Sequence, residues 1–306
     1  MGTRTTTRKA SPVGLIPSAR TDFGLSERNP IVFKRFWLDV TTDVQVHMHY
    51  PVELGFLFKG KMERVYSDGT MTIQPGEIWL TGVWEPHAWQ IAEPGAEMAV
   101  FHILPECLAT LSFPELPGIR WLAPFMAPTR KRPQIPPSAR ERFLRLFEAA
   151  CALLEDRTHL LRVRLALIEI LLSLQDYWKP PAKAASELAP FDCVNRALET
   201  LFESKTFISA KDMASRCGMS RNRFHKVFED YMGMSFPEFG LRYRLSRTAR
   251  ELTDTRQPIK AIARKWGFAD VSHFYRHFER LYRCTPRQYR MQVGAVHAIL
   301  PQGKRI

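Results

Sequence analysis

The chain has no Cys-x-x-Cys pair. Its five cysteines, Cys107, Cys151, Cys193, Cys217 and Cys284, are scattered and odd in number. That argues against a disulfide framework or a structural zinc site and reads them as small buried hydrophobes. A long uncharged apolar run is also missing. The most apolar stretch, Leu160–Leu174, is broken by Arg162, Arg164 and Glu169, so no membrane span is expected. Met1–Arg20 is polar and basic and has no apolar core of signal-peptide length, so a cytoplasmic protein is expected. Acidic residues are scarce in one part only. Residues 190–306 hold 22 Lys+Arg against 11 Asp+Glu, whereas residues 1–189 hold 22 against 20. A basic excess confined to one part of a chain fits a partner with a phosphate backbone, or simply a solvated face.

What is present in that basic part is a segment that occurs twice. The first copy runs from Ile208 to Phe228 and the second from Ile259 to Phe278. Each has a short apolar helix with Ala at its centre (Ala214, Ala263). Each then turns at a Gly (Gly218, Gly267) and starts a basic, aromatic second helix. This is the pattern of a helix-turn-helix, whose second helix enters the DNA major groove. Phe224, Val227 and Phe228 should face the domain in copy one, and Phe274, His277 and Phe278 in copy two. Arg221, Asn222, His225 and Lys226 then face outward, as do Val271, Ser272, Tyr275 and Arg276. Their chemistry fits base edges: Asn for adenine, Arg for guanine, Val for a thymine methyl. Arg223, Arg242, Arg244, Arg247, Arg264 and Lys265 read as phosphate contacts or solvated charge.

The rest of the chain supports about two domains at 306 residues. Residues 1–29 read as a loose arm. Residues 30–135 carry short strand candidates, among them Val44–His49, Leu54–Phe58, Met71–Ile73, Glu77–Leu80 and Met98–Ile103. Turn signals lie between them, which predicts a β-sandwich or barrel. Residues 136–178 predict two helices, the first capped by Ser138 with Glu141 completing a capping box. The second helix is apolar around much of its circumference, so this pair is the expected dimerisation surface. Residues 179–189 read as a linker, 190–292 as the DNA-binding part and 293–306 as a tail.

Within the strand region His47-x-His49-x-x-x-Glu53, with Gly60 seven residues on, matches the first cupin motif apart from its leading Gly, where Thr41 stands, and Pro86-His87 falls loosely where the second motif places its His. Alternation places His47 and His49 on one strand face. Two His, a Glu and a third His can hold a divalent transition metal. The same residues can contact an effector, or form a packed hydrogen-bonded interior. Trp79, Trp84 and Trp89 add aromatic faces suited to a sugar, or to core packing.

Two resemblances sharpen these readings. Ile259-x-x-Ile262-Ala263-x-x-x-Gly267-Phe268-x-Asp270-x-Ser272-x-Phe274-x-Arg276-x-Phe278, then Thr285-Pro286-x-x-Tyr289-Arg290, resembles the AraC/XylS family of bacterial transcription regulators. That implies two recognition helices in successive major-groove segments, with base-reading positions at Asn222, His225, Lys226, Val271, Ser272, Tyr275 and Arg276. His47–Leu104 resembles the sensor domain of the melibiose-operon activator group, which implies a carbohydrate effector. The expected fold class is therefore α+β: a cupin-like β-barrel and a helical dimerisation segment, then an all-α domain with two helix-turn-helix motifs. The expected function is DNA-binding transcription regulation, activation by resemblance, with an effector touching His47, His49, Glu53, Trp84 and His87. Expected partners are double-stranded DNA, the effector, RNA polymerase and a second copy of the chain. No catalytic residue and no cofactor are expected. The alternative is a cupin metal-binding enzyme or metal sensor fused to a DNA-binding domain, with His47, His49, Glu53 and His87 as ligands.

Overall fold

The computed structural model describes residues 23–42, 44–155, 160–178, 190–204 and 208–291. The expected linker at 179–189, the tail at 293–306 and most of the arm, residues 1–22, lie outside them. Eight strands come first: β1 (Ile31–Leu38), β2 (Gln45–His47), β3 (Val52–Lys59), β4 (Met62–Tyr66), β5 (Gly69–Ile73), β6 (Ile78–Thr81), β7 (His87–Ile91) and β8 (Ala96–Ile103). Two short helices, α1 (Pro105–Ala109) and α2 (Ala123–Met126), precede the longer α3 (Arg140–Ala152) and α4 (Leu160–Gln175). The C-terminal part is α5 (Pro190–Glu203), α6 (Ala210–Arg216), α7 (Arg221–Met232), α8 (Phe236–Asp254), α9 (Ile259–Lys265) and α10 (Val271–Tyr282). No helix among the described residues is long and apolar enough to cross a membrane.

The mixed α and β composition is as expected, but the strands do not close into a barrel. They form two four-stranded sheets, β1-β8-β3-β6 and β2-β7-β4-β5. Among the described residues no backbone ladder joins the two sheets. The strand β3 contributes to two apolar clusters. It is buried on both faces, so its side chains supply two apolar layers in place of one alternating face. Leu54 and Phe56 lie with Phe101 and Phe147 in the core under the helices, and Phe56 stacks on Phe147 at 4.5 Å. Leu57 joins Met62, Ile73, Trp79, Ile91, Met98 and Val100 in a second, inter-sheet cluster. Gly55 is required here: a Cβ at this position would fall 2.0 Å from the Trp79 ring.

The expected cap at Ser138 is also not made. Ser138 lies in a 3-10 turn, the residue before the helix is Ala139, and no side chain caps α3. Glu141 pairs with Arg145 one turn on instead. Prolines at 136 and 137 hold the chain in this turn and delay the helix by one residue.

The largest apolar core runs from the strands through α3 and α4 into α5, α6, α7 and the first half of α8. The second half of α8 with α9 and α10 has its own core, built on Leu245, Leu252, Ile262, Trp266, Phe274 and Phe278.

Candidate functional site

Two sites follow from this architecture. The first is formed by two like helix pairs, α6–α7 and α9–α10. Ser209 caps α6 by accepting from the Asp212 N–H, and Ser220 caps α7 by accepting from the Arg223 N–H. The turn between them places Gly218 at φ +64°, and the Met219 N–H closes it on the Ala214 carbonyl at 2.9 Å. The second unit repeats this: Gly267 at φ +75°, and the Phe268 N–H on the Ala263 carbonyl at 3.0 Å. A left-handed residue at this point strongly favours glycine. Asp270 caps α10 by accepting from Ser272 N–H.

The faces fall as the periodicity demands. Phe224, Phe228, Phe274 and Phe278 are buried. Arg221, Asn222, His225, Lys226, Ser272 and Arg276 are exposed, and Val271 and Tyr275 are half-buried. His277, expected to face inward, is half-buried and hydrogen-bonded to His273 across one turn at 2.9 Å.

Several cations read from sequence as phosphate contacts have other partners. Arg244 donates to the Gly267 carbonyl at 3.1 Å and stacks on Phe268. Arg247 pairs with Glu106 at 2.7 Å and with Glu27, and lies over Trp266. Arg242 pairs with Glu238, and Lys265 with Glu251. These charges staple the fold. Helical spacing shows the Arg242–Glu238 pair, but not Arg247–Glu106, whose partners lie 141 residues apart.

The second site lies between the sheets. Register places Thr81 and His102 on either side of Glu53 in one row across β6, β3 and β8. On the other sheet His47 faces His87 across β2 and β7. Glu53 accepts from Arg64 at 3.2 Å and from Thr81 at 3.2 Å, and has His49 Nε2 at 3.0 Å and His102 Nε2 at 3.3 Å. Arg64, from β4, also donates to Thr81 and Tyr66. Burial pushes the Glu53 carboxyl up, but the hydrogen bonds from His102 and His49 outweigh it and hold it well below the usual carboxylate range. Burial lowers His87 to about 3 and also lowers His47. Phe23 packs its ring on His49 and His102 at 4.9 and 4.4 Å.

Of the five residues expected to touch an effector, His47, His49, Glu53 and His87 gather here. Trp84 does not join them. Its ring packs on Tyr50 and on Phe239 of α8, at 4.9 and 5.0 Å. Trp84 is tied to the cluster only through its backbone, which sits at φ +49° and donates to the His49 carbonyl at 2.8 Å. Arg64 and His102 belong to the site and were not singled out from sequence; the only signal was a charged or ionisable residue inside an apolar strand.

A ring cluster links this site to the C-terminal helices. Tyr50, next to His49, is 6.1 Å from Tyr243 and 6.4 Å from Phe202. Arg120 on the strand-bearing half pairs with Asp192 of α5 at 3.0 Å.

Residues 213–292 match the family model described as a helix-turn-helix domain. This segment is a helix-turn-helix domain. An uncharacterized HTH-type transcriptional regulator of Haemophilus influenzae is 34% identical to the chain over 84 residues. Regulatory protein PocR of Salmonella typhimurium is also 34% identical over 84 residues. Each match covers 28% of this chain and 28% of the relative, so the chain spans under a third of the length of these two relatives. A solved transcriptional regulator with an AraC-type DNA-binding domain, from Chromobacterium violaceum, is 27% identical over 33% of this chain and 90% of that chain, with a TM-score of 0.31. The helix-turn-helix domain thus contains α7, α8, α9 and α10 whole and begins within α6.

Proposed function

We propose that this chain is a sequence-specific DNA-binding transcription regulator of the AraC/XylS type, an activator under control of a small molecule held by its N-terminal half. The observation that carries the reading is the doubled unit with one turn geometry and two outward helix faces. On α7 the face is polar and cationic. On α10 it is partly apolar, with Arg276 as its charge. The two faces would read successive major-groove segments, so one subunit would take an asymmetric site.

The test is binding to a selected DNA site. Arg276→Ala should weaken specific binding by about 1–3 kcal/mol and relax one base position. Fluorescence anisotropy against single-base variants measures both. Equal affinity of the unmutated protein for specific and random DNA would sink the proposal.

Control follows from the ring cluster. An effector, a carbohydrate by resemblance, would bind beside His47, His49, Glu53 and His87 and shift the His49–Tyr50 segment. Tyr50 and Trp84 touch Tyr243 and Phe239 of α8, the helix between the two units. Moving α8 would alter their spacing on DNA and their contact with RNA polymerase.

A second copy of the chain would cover α4. Leu161 is 67% exposed and Leu165 56% exposed, with Leu160 beside them. The double variant Leu161→Glu/Leu165→Glu should convert a dimer to a monomer, as read by light scattering after size exclusion. An unmutated chain that is monomeric at the same concentration argues against the dimer.

A further inference from the structure

His49 and His87 are both pinned at one ring nitrogen. His49 Nδ1 lies 2.8 Å from the Pro51 carbonyl and His87 Nδ1 2.8 Å from the Glu85 carbonyl. A carbonyl only accepts, so each Nδ1 carries a proton. In the neutral ring each Nε2 is then a bare lone pair. His49 Nε2 is 3.0 Å from Glu53 Oε1, a hydrogen bond when the ring carries a second proton and a ligand pair when an ion replaces that proton; His87 Nε2 is 3.9 Å from Oε2. All three side chains are buried, and their donor atoms lie within 4.8 Å of one another. Such a set of donor atoms can take a cation between them.

We propose that this site holds one divalent first-row transition ion on His49 Nε2, His87 Nε2 and the Glu53 carboxylate. The pinned Nδ1 protons are the outer-shell bonds that orient histidine ligands. Two ligands ~2.1 Å from one ion lie about 3.4 Å apart at a tetrahedral angle, close to the separations here. Imidazole with carboxylate suits zinc, iron, cobalt, nickel or manganese. His102 plays a different part. Its Nδ1 is buried without a hydrogen-bond partner and its Nε2 is 3.3 Å from Glu53 Oε1. That makes Nε2 the protonated nitrogen and His102 a positioning residue for the carboxylate. Arg64 holds the Oε2 side of the same group. His47, one of the four ligands expected from spacing, falls outside the set. It stacks flat on His87 at 5.8 Å and on Trp89 at 6.3 Å.

Three protein donors leave coordination positions open. A hydroxyl or carboxylate of the effector could occupy them; this clause alone rests on the effector reading.

The experiment uses the full chain, stripped with a chelator and titrated with Mn2+, Fe2+, Co2+, Ni2+ or Zn2+ alone. Calorimetry gives stoichiometry, melting gives stabilisation, and the Co2+ visible spectrum gives ligand type. One ion per chain is expected, with a raised melting temperature. His102→Gln should lose roughly 10–100-fold in affinity, His49→Ala and His87→Ala more than that, and His47→Ala less than about threefold. Retained binding of specific DNA by each variant shows that it folds. The assignment is overturned if no ion binds the unmutated chain, if binding survives His49→Ala/His87→Ala, or if His47→Ala alone abolishes it. Stabilisation by a metabolite without any bound ion would overturn the ion and leave the effector reading intact.

Discussion

Glu53→Ala is expected to destabilise the N-terminal half by about 3–5 kcal/mol, the range for breaking a buried ion pair by removing one partner. Glu53 is the sole carboxylate that Arg64 pairs with among the described residues, and Arg64 is 2% exposed. Without it the guanidinium keeps only neutral partners, Thr81 and Tyr66, and its charge stays buried. Solvent cannot relieve this, because the site lies between two packed sheets. The core on the other face of β3 continues into the first helix pair. The loss should therefore appear in both regions: a urea melt followed by a probe near α7 should shift with one followed near the sheets. Glu53→Gln keeps the shape and one acceptor and should cost less. A loss under about 1 kcal/mol for Glu53→Ala would mean that Arg64 finds water or a new partner.

Phe278→Ala is expected to cost about 3–5 kcal/mol, but in a confined region. Phe278 is fully buried and touches Phe274, Tyr282 and Tyr289 at 5.4, 4.5 and 5.5 Å. These rings belong to the separate core under α9 and α10. The second unit should open while the sheets and first unit stay folded. Hydrogen exchange should lose protection in 259–282 and keep it in β3 and β8. Under the proposed function, specific DNA affinity should fall toward the non-specific level, since one of the two proposed groove contacts is lost. Exchange that rises equally across the chain would refute the independence of the two cores.

Much of the C-terminal half was legible in the chain because its signals are local. A helix-turn-helix needs an apolar i, i+4 face, a cap, and a glycine where φ turns positive. All three lie within about twenty residues of one another, so Gly218, Gly267 and the four buried phenylalanines announced the units. Strand existence was legible too, as in β3 and β8. Barrel closure was not: it depends on which strand edges meet, and β1, β4 and β7 carry weak alternation. The N-terminal site was half legible. His49, Glu53 and His87 showed through their spacing. His102 and Arg64 did not, because they reach Glu53 from strands far along the chain.

The sequence alone determined that this protein has two like helix pairs with chemically different outward faces and a basic C-terminal half. Those are consequences of residue type at short spacing. Only the tertiary structure decided which charges are available. It turned Arg244 and Arg247 inward as staples, moved Trp84 from the histidines to α8, and placed His102 beside Glu53 in place of His47. A side chain's partner across a long loop is set by register and packing, and neither is written in any local stretch of residues.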